Sequence, residues 1–160
     1  IINFNGLAVG EPLETGSVVI IPDGEAAVTF STAPTPASRF SSLPELAGYF
    51  LRPILGGRRS RGLHGFNGVD LAQSCGSPVL ASADGAVIIA RNSGWNGGYG
   101  RYIVISHPNG VQTLYAHLNV ILASVVQSNA QGSQVATIGS TGNSTGCHVH
   151  FETRGAKNPF

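Results

Sequence analysis

Two histidines separated by a single residue, His148 and His150, are the residues of this chain best suited to do chemistry. In an extended strand, residues two apart point to the same face and lie about 6.6 Å apart, so both imidazoles project side by side. A neutral imidazole is a common zinc ligand and also the usual acid or base near neutral pH. The pair therefore indicates a metal site or a site of proton transfer.

Three further residues can complete such a site. A catalytic zinc ion takes three protein ligands and keeps one position open. Outside the histidine pair, the chain offers His64 and Asp70, which are six residues apart, and His117 in the run Tyr115-Ala116-His117-Leu118. The sequence thus holds enough candidate ligands for one ion, with histidines left over for catalysis.

In the order of its motifs, the chain resembles the lysostaphin-type (LytM-like) zinc endopeptidases, which cut the peptide cross-bridges of bacterial peptidoglycan. The resemblance covers roughly residues 47–160 and depends on the order of motifs that are each short. They are His64 with Asp70, Gly76-Ser77-Pro78-Val79, Asp84-Gly85-Ala86-Val87, Gly98-Tyr99-Gly100, Tyr115-Ala116-His117-Leu118, and Ser144-Thr145-Gly146 leading into His148-Val149-His150-Phe151-Glu152.

The resemblance implies a mainly β fold, an antiparallel β-sheet metallopeptidase domain with long loops around a zinc groove. It also implies that His64, Asp70 and His150 bind one zinc ion, and that His117 and His148 are the catalytic histidines. Zinc would polarise the scissile carbonyl and activate water, while the two catalytic histidines orient or deprotonate that water and stabilise the oxyanion. The expected partner is a peptidoglycan peptide substrate.

The first histidine departs from the usual family pattern, in which it lies four residues before the aspartate. Phe66 occupies that place, and His64 lies six residues before Asp70. Six residues of straight strand span about 20 Å, too far for two side chains to share one ion. We therefore expect a bulged loop at Gly65, Asn67 and Gly68 that brings His64 back to the aspartate.

Other interpretations compete with the zinc site. The run 142–146 matches the Gly-x-Ser-x-Gly nucleophile elbow, but that motif requires a following helix and an acidic residue that is itself followed by a histidine. A strand is expected here, and no histidine follows Glu152, the one acidic residue after the motif. We expect His107 to be a hydrogen-bonded structural residue. The glycine-rich run 94–100 is expected to be a flexible connection, with Trp95 and Tyr99 on a groove wall or facing solvent. A catalytically silent wall-binding or amidase-activating protein on the same fold is the rival function.

Composition favours a compact β protein, because 42% of the residues are hydrophobic and only 11% are charged. Short β-rich runs alternate with turns, and no long stretch has helical periodicity. The strands are predicted at residues 79–81, 86–91, 102–106, 111–116, 134–138 and 147–153.

The first part of the chain has a different character. Residues 1–24 resemble the closing half of a LysM glycan-binding module, although a terminal strand packed on the next domain is an equal alternative. Residues 25–46 have the composition of a linker, and residues 47–160 form the expected endopeptidase domain.

The net charge of +1 argues against a nucleic-acid partner, and no apolar run is long enough for membrane insertion. The small basic cluster of Arg58, Arg59 and Arg61 is expected to be a solvated loop. The chain lacks methionine and begins at Ile1, so we expect a processed N-terminus. The resemblance to a wall hydrolase implies an extracytoplasmic location, and we expect a monomer.

The two cysteines permit one disulfide. If the strands carrying Asp70 and His150 converge on zinc, as the resemblance implies, Cys75 and Cys147 lie close enough to be joined. A disulfide agrees with an extracytoplasmic protein. Thiolate ligation of zinc and two free buried cysteines are the alternatives.

Overall fold

The computed structural model describes residues 40–160 of the chain. The predicted LysM-like segment, 1–24, and most of the predicted linker lie outside the described residues. The described part begins with a segment that packs onto the domain, since Leu46 and Phe50 belong to one apolar cluster with Val111 and Ala156. The division into three regions stays a prediction.

The described residues form ten β-strands and one short 3-10 turn at Asn96–Gly98. The strands are β1 Arg58–His64, β2 Gly68–Ala72, β3 Pro78–Leu80, β4 Gly85–Arg91, β5 Tyr102–Ser106, β6 Gln112–Ala116, β7 Leu118–Ile121, β8 Ser128–Asn129, β9 Gln134–Ile138 and β10 His148–Arg154. All strand pairs are antiparallel. The predicted mainly β, antiparallel fold is confirmed.

The strands form two sheets that share one core. The larger sheet has the order β1-β2-β10-β6-β5-β4-β8, and the smaller one has the order β3-β9-β7. Side chains from both sheets meet in one apolar cluster, for example Leu71 and Phe151 with Val79 and Ile138. Within residues 40–160, no helix is long and apolar enough to cross a membrane.

All six predicted strands are present, with ends that differ by at most one residue. Strand β1 was not predicted, and the expectation that its arginine cluster forms a loop was wrong. Arg58, Arg59 and Arg61 lie in this strand, at the edge of the larger sheet, with exposed side chains. Edge strands accept charged residues because one side of the ladder faces solvent. The sequence of β1 therefore has no apolar alternation from which the strand could be predicted.

Strands β2 and β10 have two different faces, one packed in the core and one on the opposite side of the sheet. Their odd-numbered residues Val69, Leu71, Val149 and Phe151 are fully buried in the core. Because side chains alternate along a strand, the even-numbered residues lie on the opposite face. These are Gly68, Asp70 and Ala72 on β2 and His148, His150 and Glu152 on β10.

The predicted disulfide between Cys75 and Cys147 is present, with Cα atoms 5.1 Å apart. It joins the loop after β2 to the residue that precedes β10. It therefore ties together the ends of the two strands that carry Asp70 and His150, and neither thiol is available as a zinc ligand.

Replacing both cysteines with serine should lower the free energy of unfolding, because the bridge joins residues 72 apart in sequence. The loop-entropy model gives a loss of about 4 kcal/mol for a loop of this size. Urea denaturation of the wild type and the double variant measures the difference. The reduced wild type should match the variant, and reductant should leave the variant unchanged. A loss below about 1 kcal/mol would contradict a stabilising role for the bridge.

Candidate metal centre

A tight hairpin brings His64 next to Asp70. Strands β1 and β2 pair antiparallel with His64 opposite Gly68, and β1 bulges on either side of Arg61. The connecting residues Gly65 and Asn67 have φ of 54° and 58°, left-handed values that glycine and asparagine tolerate best. As a result, Nε2 of His64 lies 3.3 Å from Oδ1 of Asp70.

Asn67 holds this turn in place from inside the protein. Its side chain is buried, and its Nδ2 donates to the backbone carbonyls of Thr153 and Ala156 at 2.8 and 2.7 Å. The neighbouring Phe66, which occupies the usual histidine position of the family, is 60% exposed. The turn thus directs His64 toward the site and Phe66 toward solvent.

The three predicted ligands lie together. Each of the three offers one ligand atom, and these atoms, from His64, Asp70 and His150, lie within 4.8 Å of one another. Nδ1 of His150 lies 2.8 Å from Oδ1 of Asp70, its partner in the β2–β10 register. Ligand atoms about 2 Å from a tetrahedral zinc ion lie about 3.3 Å apart, so small side-chain shifts suffice to fit the ion.

The remaining ring nitrogens of both histidines have acceptors. Nδ1 of His64 lies 2.7 Å from the carbonyl oxygen of Gly62, and Nε2 of His150 lies 3.2 Å from Oε1 of Glu152. Each acceptor favours a proton on the nitrogen it faces, which leaves the other nitrogen's lone pair for a metal. Zinc-binding histidines are usually oriented in this way, so the donor set fits zinc.

His117 and His148 line the same site from the other side. Their ring centroids lie 4.7 Å apart, and Nε2 of His148 is 3.8 Å from Oδ1 of Asp70. Nδ1 of His117 bonds the carbonyl oxygen of Thr141 at 2.8 Å, and Nδ1 of His148 bonds that of Gly146 at 2.8 Å. Both rings are therefore fixed with Nε2 left for other chemistry.

The backbone of His117 is held in an unusual conformation, with φ of 61°. Such left-handed values are uncommon outside glycine, and they persist where surrounding structure imposes them. Here the amide of His117 donates to the carbonyl oxygen of Tyr99 at 2.9 Å. The loop carrying Tyr99 packs so closely against the loop at Gly142 that a Cβ on Gly100 would lie 2.4 Å from the Gly142 nitrogen.

Electrostatics gives the histidines different properties. Burial would lower the pKa of His150, but hydrogen bonds to Asp70 and Glu152 outweigh it and raise this pKa to about 9. Burial lowers the pKa of His117 to about 4. The site therefore stabilises positive charge at His150, where a cation can replace the proton, and keeps His117 neutral as a proton acceptor at pH 7.

The other chemical candidates do not form sites. Nδ1 of His107 bonds the carbonyl oxygen of Asp84 at 2.8 Å and Nε2 lies 2.9 Å from Oγ1 of Thr113, which makes His107 the structural residue expected. Ser144 precedes strand β10 and not a helix. The segment 142–146 is therefore a turn and not a nucleophile elbow.

The sequence pattern of Peptidase family M23 matches residues 64–160 of this chain, the part that contains the whole histidine cluster. The chain belongs to peptidase family M23. The resemblance to lysostaphin-type enzymes is thereby confirmed.

Known proteins similar to this M23 domain include both enzymes and activators. The DD-carboxypeptidase/endopeptidase Mpg of Neisseria meningitidis is 47% identical over 108 residues, which cover 67% of this chain but 23% of that protein. The murein hydrolase activator NlpD of Escherichia coli is 40% identical over 90 residues, 56% of this chain and 23% of that one. The chain thus spans about a quarter of these relatives.

The similarity extends to solved structures. The catalytic domain of the antimicrobial peptidase lysostaphin from Staphylococcus simulans superposes with a TM-score of 0.52 at 31% identity, covering 73% of this chain and 84% of that domain. The two-sheet fold of residues 40–160 is therefore similar to that of a solved peptidase domain.

Two residues of the M23 site, Tyr99 and Glu152, were not assigned a role from the sequence. Tyr99 was expected on a groove wall or in solvent, but its hydroxyl donates to Oε1 of Glu152 at 2.5 Å. Glu152 follows His150 by two residues on one strand face. This spacing was a usable signal for Glu152. Tyr99 lies in the motif Gly98-Tyr99-Gly100, but no local pattern indicates its hydrogen bond to Glu152.

Replacing His64 with alanine should abolish tight zinc binding, while Phe66→Ala should leave it intact. His64 offers a potential ligand atom beside Asp70, whereas Phe66 points outward from the same turn. Equilibrium dialysis of both variants against zinc gives the comparison, and circular dichroism checks that both are folded. If Phe66→Ala lost zinc and His64→Ala kept it, the role given to the hairpin would be wrong.

Proposed function

We propose that this M23 domain is a zinc-dependent endopeptidase that hydrolyses peptide cross-bridges of bacterial peptidoglycan. The observation that carries the proposal is the convergence of ligand atoms from His64, Asp70 and His150 within 4.8 Å. These residues would hold one zinc ion. The names of enzymatic relatives such as Mpg support the reaction class.

Zinc, when bound, supplies a Lewis acid that polarises the scissile carbonyl and makes water a better nucleophile. His117 is the proton acceptor in the proposed reaction, because it is neutral and its Nδ1 already bonds Thr141. Its Nε2 would take the proton from the attacking water and give it to the leaving amine nitrogen as the peptide C–N bond breaks. His148 would orient that water or, if it takes the proton in place of His117, donate a hydrogen bond from Nε2 to the oxyanion.

The proposed location is outside the cytoplasm, where peptidoglycan lies. The Cys75–Cys147 disulfide supports this location, since such bonds form and persist in oxidising compartments.

A second function is favoured by one comparison and one residue. The activator NlpD is 40% identical to the matched segment, and Phe66 replaces the histidine in its usual family position. A silent activator would not need a complete ligand set. In this chain His64, two residues before Phe66, completes the ligand set, which supports the enzymatic function.

The test is digestion of purified, cross-linked peptidoglycan by the zinc-loaded protein, followed by mass spectrometry of the fragments. We expect cross-linked peptide dimers to decline and uncross-linked peptides to accumulate. A protein that binds zinc and leaves the amount of cross-linked peptide dimers unchanged would favour the activator.

His117→Ala should retain zinc and lose hydrolysis, because His117 moves a proton and holds no metal in the proposed site. Loss of general acid–base help costs a factor of about 100 to 10,000 in rate. His150→Ala is the matched comparison and should lose both zinc and activity. Full activity of His117→Ala, or loss of its zinc to the extent seen in His150→Ala, would contradict these roles.

A further inference from the structure

The carboxylate of Glu152 is buried on β10 beside His150, with only 1% of the residue exposed. A buried carboxylate is costly unless charged or polar partners surround it. Here both oxygens are occupied. Oε1 accepts from the Tyr99 hydroxyl at 2.5 Å and faces Nε2 of His150 at 3.2 Å, while Oε2 accepts from Nε and Nη2 of Arg154 at 3.0 and 2.8 Å.

Strand geometry places these groups in a row. His150, Glu152 and Arg154 follow one another at intervals of two on the same face of β10. Gly68 lies opposite Glu152 on β2, and a Cβ there would lie 2.5 Å from Cε1 of His150. The missing side chain of Gly68 leaves the space in which the imidazole meets the carboxylate.

The contact between Nε2 of His150 and Oε1 of Glu152 determines which nitrogen of His150 faces the metal site. With Oε1 of Glu152 as its acceptor, Nε2 holds a proton, and Nδ1 lies 2.8 Å from Oδ1 of Asp70, where a cation would take the place of its proton. Rotating the ring by half a turn would break the contact with the carboxylate. Tyr99 and Arg154 in turn prevent Glu152 from moving away.

We propose that Glu152, held in place by Tyr99 and Arg154, is a positioning residue that presents Nδ1 of His150 to the metal. The proposal rests on the zinc site assigned under the proposed function. It predicts that zinc affinity depends on a carboxylate and a hydroxyl that do not touch the ion.

A purely structural role is the competing explanation, because removing any buried hydrogen bond can destabilise the domain. The chain provides a matched control in Tyr115, a second buried tyrosine. Its hydroxyl accepts from the amide of Ser82 at 2.8 Å and from Oγ1 of Thr113 at 3.0 Å, so it bonds residues other than the proposed ligands. Tyr115→Phe removes the same atom as Tyr99→Phe.

The experiment measures zinc affinity at one fixed pH by competition with a chromogenic chelator, and thermal stability in parallel. Glu152→Gln keeps the size of the side chain and removes its charge, and it should weaken zinc binding about 10- to 100-fold. Tyr99→Phe should weaken zinc binding to a smaller extent. Tyr115→Phe should bind zinc as the wild type does, whatever its melting temperature.

Wild-type zinc affinity in Glu152→Gln would overturn the proposal, as would equal losses in Tyr99→Phe and Tyr115→Phe. If Glu152→Gln does not fold, the comparison of the two tyrosine variants decides. Hydrolysis is a separate readout. If the wild type and its variants show the expected order of zinc affinities but the zinc-loaded wild type cleaves no peptidoglycan, the proposed function is contradicted and the positioning role is supported.

Discussion

The pairing of β2 with β10 is the constraint on which the site depends. Its register places His150 opposite Asp70 and buries Val69, Leu71, Val149 and Phe151 behind them. A slip of one residue would turn these apolar side chains toward the site and the polar ones into the core. The burial that stabilises the sheet therefore also fixes the ligand geometry, and the disulfide ties the same two strands together at one end.

The hairpin and loops around β2 and β10 supply the two site histidines that these strands do not carry. The hairpin at Asn67 adds His64, and two loops packed together at Gly100 and Gly142 hold His117. Fixed acceptors orient each ring, so little rearrangement is needed to receive a cation. Carboxylates on two sides of His150 favour positive charge, whereas burial keeps His117 neutral. In the proposed site, metal binding and proton transfer thus belong to different histidines.

Much of this arrangement could be predicted from the sequence. Strand alternation at His148 and His150 is a local signal, and the resemblance to lysostaphin-type enzymes implied that the two cysteines lie close together. The edge strand β1 could not be predicted, since its arginines lack an apolar pattern. Tyr99 is 53 residues from Glu152 in the chain, and only the folded loops bring them together. The left-handed backbone of His117 is imposed by tertiary contacts and has no local signature.

The most direct test of the site is X-ray absorption at the zinc edge of the zinc-loaded protein. We expect one ion with two imidazole nitrogens and further oxygen ligands at about 2.0–2.2 Å. Sulfur at about 2.3 Å, a single imidazole, or no bound zinc would contradict it.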